Sequence, residues 1–322
     1  MSRDPRKNMA LGFGLVSLGG FSTDYAANPS SILFGNPPNA LGRVYSSYSL
    51  TKVPVAAGFQ VNPKLSIGVS ANIYIAQFSI APLTSVVDVA SNGTRWYPEA
   101  GRPSQRLTVA PQFGFYYQAS PMMSVGGSVT LKQAYPSFEF VSTDADPTSR
   151  TFGATRTLNY DLDGPMVATF GVGLHPDKAT AIAIDGMYTR YTGVAGFDNA
   201  GGYAANGTMA PLAWQDTFSF KVGVRRDVNE KAQVRVGYNF TQTPLKTDAM
   251  LSNINSPIAF QHHLSAGMGM KLFPFLTAEA SFYVAPRGHV TGSYPSAKNV
   301  NQGSIDLSNA LTAALVGFNF RF

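Results

Sequence analysis

The stretch from Arg226 to Phe240, RDVNEKAQVRVGYNF, places a polar turn directly before a segment of alternating side chains. Val234 and Val236 fall on one side of that segment, and Arg235 and Gly237 fall on the other. Successive side chains of an extended strand point to opposite faces. The stretch therefore predicts a strand with one apolar and one polar face, entered through a tight hairpin turn.

The same arrangement of turn and alternating strand recurs along the chain. It is found in VNPKLSIGVSANIYI from Val61, ASPMMSVGGSVTLK from Ala119, HPDKATAIAIDGMY from His175 and LFPFLTAEASFYV from Leu272. Reading outward from these turns predicts about twelve strands. The predicted strands are 9–17, 44–61, 64–78, 106–118, 122–133, 158–174, 178–191, 216–228, 231–242, 260–272, 275–286 and 310–322.

The predicted connections alternate between tight and long. Tight turns fall near residues 62, 120, 176, 229 and 274. Long polar loops fall near 18–43, 79–105, 134–157, 192–215, 243–259 and 287–309. An even-stranded up-and-down barrel with both chain ends at the short-turn side gives this alternation. The sequence thus predicts an all-β, antiparallel transmembrane barrel that forms a single domain over residues 1–322, with the long loops extracellular.

Composition and strand faces indicate which side of the barrel meets lipid. Only 13% of residues are charged and 44% are hydrophobic, and no run of about 18 apolar residues predicts a membrane helix. Apolar side chains fill one face of each strand, as with Ile67, Val69 and Phe113, while small or polar ones such as Ser70 and Gly114 fill the other. A soluble barrel would reverse this order. We therefore predict lipid outside, a wet lumen inside, and a bacterial outer-membrane location.

The two ends of the chain give weaker signals. MALGFGLVSLGG near the amino end fits either a signal peptide or a Gly-rich strand, and the missing cleavage site favours the strand. The carboxy end, ALVGFNFRF, places Val316, Phe318, Phe320 and Phe322 on one face. A terminal Phe that closes an alternating strand is typical of outer-membrane barrels.

Three stretches resemble the FadL-type outer-membrane transporters of long-chain fatty acids and hydrocarbons. They are NPKLSIGVSANI, DGPMVATFGVGLHPDKATAIAIDGMYTRYTG and WQDTFSFKVGVRRDVNEKAQVRVGYNFTQTPL, the last from Trp214 to Leu245. The resemblance covers most of residues 44–322 and implies a passive channel without bond-breaking chemistry. Such proteins have fourteen strands and an amino-terminal plug. This chain begins near the third strand, so we expect the plug and two strands to be absent.

The resemblance also implies that ligand is captured near the loops and leaves sideways through a gap at a kinked third strand. The matching region here is Met9 to Tyr25. Gly19 and Gly20 are the candidates for this lateral opening, because glycine permits a bulge that interrupts the ladder. The alternative is that both simply lead into the first long loop.

Candidate ligand-lining residues project to the predicted inner face. Inward glycines such as Gly126 and Gly171 leave room there, either for ligand or for a plug. The aromatic candidates either form apolar platforms for a ligand or simply fill space. The cationic candidates either pair with a ligand carboxylate or belong to a structural network of ion pairs. These candidates are Tyr74, Phe78, Tyr116, Tyr283, Arg225 and Arg235.

Other functions receive little support from the sequence. His262 and His263 are adjacent on a strand and point to opposite faces, so no metal site is predicted. No nucleophile motif such as G-x-S-x-G is present, and no enzyme activity or cofactor is predicted. The net charge of +6 comes without a dense Lys/Arg run, which argues against nucleic acid. Absence of Cys excludes disulfides.

The expected partners are hydrophobic small molecules, outer-membrane lipid or lipopolysaccharide, and possible membrane-protein complexes. Two other roles remain open at this point. The chain could be a structural or interaction subunit of an envelope complex, or a general diffusion porin.

Overall fold

A computed structural model describes residues 2–3, 8–198, 204, 207–209, 212–295 and 301–320. One large antiparallel sheet forms the wall. Its strands are β1 (Ser2–Arg3), β2 (Met9–Phe13), β3 (Val16–Tyr25), β4 (Val44–Gln60), β5 (Leu65–Ala81), β8 (Ala100–Ser120), β9 (Met123–Thr130), β12 (Met166–Asp177), β13 (Thr180–Arg190), β14 (Thr217–Asp227), β15 (Ala232–Thr241), β16 (His262–Phe273), β17 (Leu276–Pro295) and β18 (Asn301–Phe320). Two small hairpins, β6 (Asp88–Val89) with β7 (Arg95–Trp96) and β10 (Phe138–Thr143) with β11 (Thr155–Tyr160), and one 3-10 helix, η1 (Met250–Asn253), lie in the long connections.

The wall contains the predicted number of spans. Its 14 strand segments pair in chain order, except that β2 and β3 both pair with β4. Since these two follow one another along β4, they form a single interrupted span, and β1 is a two-residue segment beside β2. The prediction of about twelve spans in an all-β antiparallel barrel is therefore confirmed. Within the described ranges, no ladder joins β18 to β1, β2 or β3.

Several predicted boundaries are wrong. The first span runs to Tyr25, well into the predicted 18–43 loop, and β8 begins at Ala100, inside the predicted 79–105 loop. The predicted strand 158–174 is wrong in its first part: residues 158–160 belong to β11, and β12 begins only at Met166, directly after Pro165, which lacks an N–H.

The last hairpin is longer than predicted. β17 and β18 reach Pro295 and Asn301, so most of the predicted 287–309 loop is strand. Pro286 lies in a bulge between Ala285 and Gly288, and the two strands continue to pair beyond it. Phe322 and part of the predicted 192–215 loop lie outside the described residues.

The two faces of the wall follow the predicted alternation. Large apolar side chains at outward positions are exposed; the exposed fraction is 46% to 62% for Val69, Phe113, Phe170, Val236 and Phe318. Within the described ranges, no helix has the length and apolar character that crossing a bilayer requires. An apolar surface of this extent fits a surrounding of lipid rather than water.

The long connections fold over and into one end of the barrel. We call the described parts of residues 26–43, 82–99, 131–165, 191–216 and 242–261 the cap. Phe138, Phe140, Leu83 and Met250 are among its fully buried side chains. Phe78 projects into it from β5, with its ring centroid 5.8 Å from those of both Phe138 and Phe140 in edge-on contacts. The main apolar core of the molecule thus lies at the long-connection end.

Candidate functional site

The bore changes character along the inward face of β5. Tyr74, Ala76, Phe78 and Ile80 are all buried against the cap, whereas Ser66, Gly68 and Ser70 are only half-buried. Asn72, which is 1% exposed, separates the two groups. The upper bore is therefore packed and apolar, and the lower bore is polar and open.

A row of hydrogen-bonded side chains crosses the bore wall at this level. The Oγ of Ser70 donates to Oδ1 of Asn72 over 2.9 Å, and Nδ2 of Asn72 donates to Oε1 of Gln112 over 3.2 Å. Nε2 of Gln112 donates to Oγ of Ser128 over 3.2 Å, and that hydroxyl lies 2.8 Å from Oγ1 of Thr169. We call these five residues the polar belt. Because its members are bonded to one another, it presents a polar surface that apolar ligands gain little by touching.

The predicted aromatic candidates divide between the two halves. Tyr74 and Phe78 are 4% and 3% exposed and pack against the cap, so they offer no open platform in this conformation. Tyr116 is 48% exposed in the lower bore. Tyr283 lines a lower-bore cavity of about 700 Å³. The structure thus brings two of the four aromatics to open space.

The predicted cations lie in ion pairs. Nη2 of Arg235 is 2.8 Å from Oε1 of Glu279, and both residues line the same cavity as Tyr283. Nε of Arg225 is 3.4 Å from Oδ1 of Asp227. Neither cation stands without a carboxylate, which agrees with the reading of a structural network.

The first span is irregular at two places. A register shift between Ser17 and Gly19 marks a bulge, where Gly19 has a φ of +133°, a conformation that L side chains rarely adopt. A Cβ on Gly20 would collide with the carbonyl oxygen of Tyr48. Both predicted glycines are therefore required by the backbone at this bulge.

The second irregularity separates β2 from β3 at Gly14 and Leu15. The N–H of Gly14 donates to the carbonyl of Pro54 over 3.3 Å, but Pro54 has no N–H to return. Pro54 is the partner of Asn72 across the next ladder, so this weak point lies beside the polar belt. This weak point was not predicted, although a proline inside a strand pattern was the available signal.

The stretch that carries the family resemblance joins the cap to the wall. Asp216 precedes β14, and its carboxylate accepts hydrogen bonds from the Tyr188 hydroxyl at 2.5 Å, the backbone N–H groups of Tyr191 and Thr192 at 2.7 and 2.8 Å, and the Thr192 hydroxyl. Nε1 of Trp214 donates to Oδ1 of the buried Asn253 over 2.8 Å. The bond from Tyr188 of β13 to Asp216 therefore ties the cap to the wall, and the other bonds hold parts of the cap together.

The electrostatics of this junction follow from its contacts. Desolvation by burial raises the pKa of the Asp216 carboxyl, but the hydrogen bonds from Tyr188, Thr192 and Tyr191 outweigh it and leave the pKa below its ordinary value. Burial raises the pKa of Tyr191 to about 12, so its hydroxyl stays protonated. The junction is thus a carboxylate held charged beside a dry aromatic cluster.

His262 and His263 point to opposite faces. Nδ1 of His262 lies 2.8 Å from the hydroxyl of Tyr238 on the outer face, and His263 lines the lower-bore cavity. In the described part of the chain, no group of three or more His, Asp or Glu side chains is placed to hold a metal ion.

Comparisons with known proteins agree with this architecture. Residues 101–322 match the family described as outer membrane protein transport protein (OMPP1/FadL/TodX). Among similar solved structures, the toluene transporter TbuX of Ralstonia pickettii is 15% identical, with a TM-score of 0.67 over 98% of this chain and 78% of that one. The toluene transporter TodX of Pseudomonas putida is 15% identical, with a TM-score of 0.67 over 98% and 80%.

A FadL homologue of Pseudomonas aeruginosa is 13% identical, with a TM-score of 0.67 over 97% of this chain and 74% of that one. At such identities these likenesses show the fold alone. No curated protein sequence matches the chain.

Proposed function

Because the chain belongs to the outer membrane protein transport family (OMPP1/FadL/TodX), which places it in the bacterial outer membrane as an uptake channel for hydrophobic compounds, we propose that its ligands are small apolar molecules of the monoaromatic class. The names of the toluene transporters above support this class. One observation carries the proposal. The border between the apolar upper bore and the polar lower bore lies at the same level as the interruption of the first span. We further propose that the long connections, and hence the cap, face outward from the cell.

The route follows from where an apolar molecule can go. Once past the cap, it would meet the polar belt at Asn72 and would gain little by entering the wet lower bore. The interrupted span beside Pro54 and the bulge at Gly19 and Gly20 offer a sideways path to the surrounding lipid. The lateral opening is thus proposed at Gly14–Gly20, with the predicted glycine pair at its upper end.

The interrupted span can be closed reversibly. Leu15 and Val53 lie opposite each other between the paired positions Phe13–Val55 and Val16–Lys52. Since the chain has no Cys, the double variant Leu15→Cys/Val53→Cys introduces one defined disulfide. In bacteria carrying this variant in the outer membrane, we expect uptake of radiolabelled toluene to fall after mild oxidation and to recover after reduction.

The matched control staples an uninterrupted ladder. Val234 and Met268 are paired outward-facing residues of β15 and β16, so Val234→Cys/Met268→Cys should leave uptake unchanged in both redox states. If oxidation of the first pair leaves uptake intact, the lateral route is wrong. If the unmodified chain does not raise toluene uptake above cells lacking it, the transport proposal itself is wrong.

Two other readings are outcomes of the same assay. A labelled trisaccharide entering as fast as toluene would identify a general diffusion porin. Entry of neither compound would favour a structural subunit of an envelope complex. Lipopolysaccharide or partner proteins would then be sought by co-purification with the intact chain.

A further inference from the structure

One cross-strand row of the lower bore pairs an aromatic ring with a carboxylate. Tyr116 of β8 is the register partner of Gly126 of β9, which faces Gly171 of β12, which in turn faces Asp185 of β13. All four positions are on the inward face. The row thus carries a large side chain at each end and none at the two positions between them.

Both end residues lean toward the glycines. A Cβ on Gly126 would lie 3.9 Å from Cδ2 of Tyr116, in ordinary contact with the ring. A Cβ on Gly171 would collide with Oδ1 of Asp185. The ring therefore lies beside Gly126 and the carboxylate lies over Gly171, about one strand spacing apart, or ~4.8 Å.

The Asp185 carboxylate is open to a ligand. Among the described residues it has no ion-pair or hydrogen-bond partner, in contrast to Glu279, which is paired with Arg235. Its register partner Lys221 lies beyond ion-pair distance and instead places Nζ 3.8 Å from Sδ of Met187. The carboxylate is thus a charged acceptor with an unused hydrogen-bonding capacity.

The surroundings form a cavity of ligand size. Tyr116, Gly126, Gly171 and Asp185 line a groove of about 400 Å³. The hydroxyls of Ser128 and Thr169, from the polar belt, form its upper border. Ligand pockets typically combine such a volume with an aromatic surface and a few convergent polar groups.

We propose that this groove binds a monohydroxylated aromatic compound of the phenol class. The ligand ring stacks on Tyr116, and its hydroxyl donates to the Asp185 carboxylate, a charge-assisted bond that an unsubstituted hydrocarbon cannot make. A carboxylate here also disfavours anionic ligands. The inference rests on the proposed channel function and narrows its substrate class: the hydroxylated arene is retained in the lower bore, whereas a plain hydrocarbon is not.

Binding to the intact chain in detergent tests the proposal. Equilibrium dialysis with radiolabelled p-cresol and toluene, corrected with protein-free micelles, should show p-cresol bound about tenfold more tightly. Asp185→Asn should remove most of that difference and leave toluene binding unchanged. Tyr116→Leu should weaken p-cresol binding, because it removes the ring on which the cresol ring stacks, and should change toluene binding little.

The control is another aspartate-to-asparagine change. Asp177 lies at the end of β12 and is bonded to Arg226, so Asp177→Asn should alter neither affinity. Equal binding of p-cresol and toluene by the unmodified chain would overturn the inference, even if toluene uptake in cells supports the channel. Equal loss of both ligands in Asp185→Asn would also overturn it, since it would indicate a structural role. Absence of toluene uptake in cells would instead defeat the channel function.

Discussion

Inward aromatic residues are buried in the upper half of the bore and exposed in the lower half. Tyr74 and Phe78 alternate inward from β5 just as Tyr116 does from β8, yet the first two are 4% and 3% exposed and Tyr116 is 48% exposed. The strands are of the same kind, so the strand pattern does not cause the difference. The cap covers Tyr74 and Phe78, whereas Tyr116 lies below it, with its hydroxyl donating to Oε1 of Gln118. Alternation therefore assigns a face, while the connections decide what fills the bore.

Truncating a side chain in the cap core should give the largest loss of stability. If it does not, the upper bore is not the packed half of the molecule. Phe140 is 1% exposed and packs on Phe78, so Phe140→Ala should destabilise the cap by about 3–5 kcal/mol. Both tryptophans of the sequence, Trp96 and Trp214, lie in the cap, so tryptophan fluorescence during urea unfolding in detergent reports on it.

The matched truncation is in the lower bore. Tyr116→Ala removes a ring that is already half in solvent, and we expect less than about 1 kcal/mol from it. A comparable loss from both variants would mean that the lower bore is also packed.

A charge placed on either face tests the inside-out assignment. Val222 faces outward near the middle of β14, so Val222→Arg should cost about 2–4 kcal/mol when the barrel folds into vesicles. Ser281 faces the open lower bore from β17, and Ser281→Arg should change the folding free energy little. The measurement is urea-dependent folding followed by the gel shift between heated and unheated samples. Reversed costs would mean that the polar face is the outer one.

Local alternation was enough to predict the wall, because it is a property of each strand alone. The turn before Ala232 and the outward Val234 and Val236 agree with the structure. The cap could not be predicted this way, since Phe138 and Phe140 bury themselves only through contacts with distant strands. The predicted 158–174 strand failed for the same reason: residues up to Tyr160 alternate, but they pair with β10 in the cap.

The candidate site was predictable in part. Gly19 and Gly20 are at a bulge, as glycines in a strand suggested, and Tyr116 and Tyr283 face open space. Asn72 and Pro54 were missed because their effect depends on cross-strand register, which a single sequence does not fix. Likewise, the Asp185 carboxylate lacks an ion pair because the Lys221 side chain points to Met187, and a single sequence does not fix that side-chain conformation.

Removing the carboxylate at the cap junction should have an intermediate effect. Asp216→Ala leaves the N–H groups of Tyr191 and Thr192 without their acceptor, which should cost about 2 kcal/mol of cap stability by the same fluorescence assay. Because the pKa of Asp216 is lowered on folding, its contribution is present above the unfolded value of about 3.9 and is lost as the pH falls through the lower folded value.

The pH dependence separates charge from packing. Asp216→Asn should flatten the loss of cap stability below about pH 4, while Asp198→Asn, an exposed change in the same connection, should not. An unchanged acid profile in Asp216→Asn would place the titrating group elsewhere. The stability of the wall, measured by gel shift, should change neither with Asp216→Ala nor with Asp216→Asn. This outcome would distinguish the cap from the barrel.

The smallest expected effect concerns the proline beside the polar belt. Pro54→Ala supplies an N–H that can donate to the Gly14 carbonyl, a gain of about 1 kcal/mol that the greater freedom of the unfolded chain partly offsets. Hydrogen exchange of peptides spanning 9–25 and 44–60 should slow, and toluene uptake should fall. Pro111 is a matched control, since it also accepts a hydrogen bond, from the N–H of Leu131 at 3.0 Å, and cannot return one. Unchanged exchange in Pro54→Ala would mean that the bulge at Gly19, rather than the missing donor, weakens the wall where the two halves of the bore meet. Slower exchange of the first span in Pro111→Ala would mean that the effect is not local to Pro54.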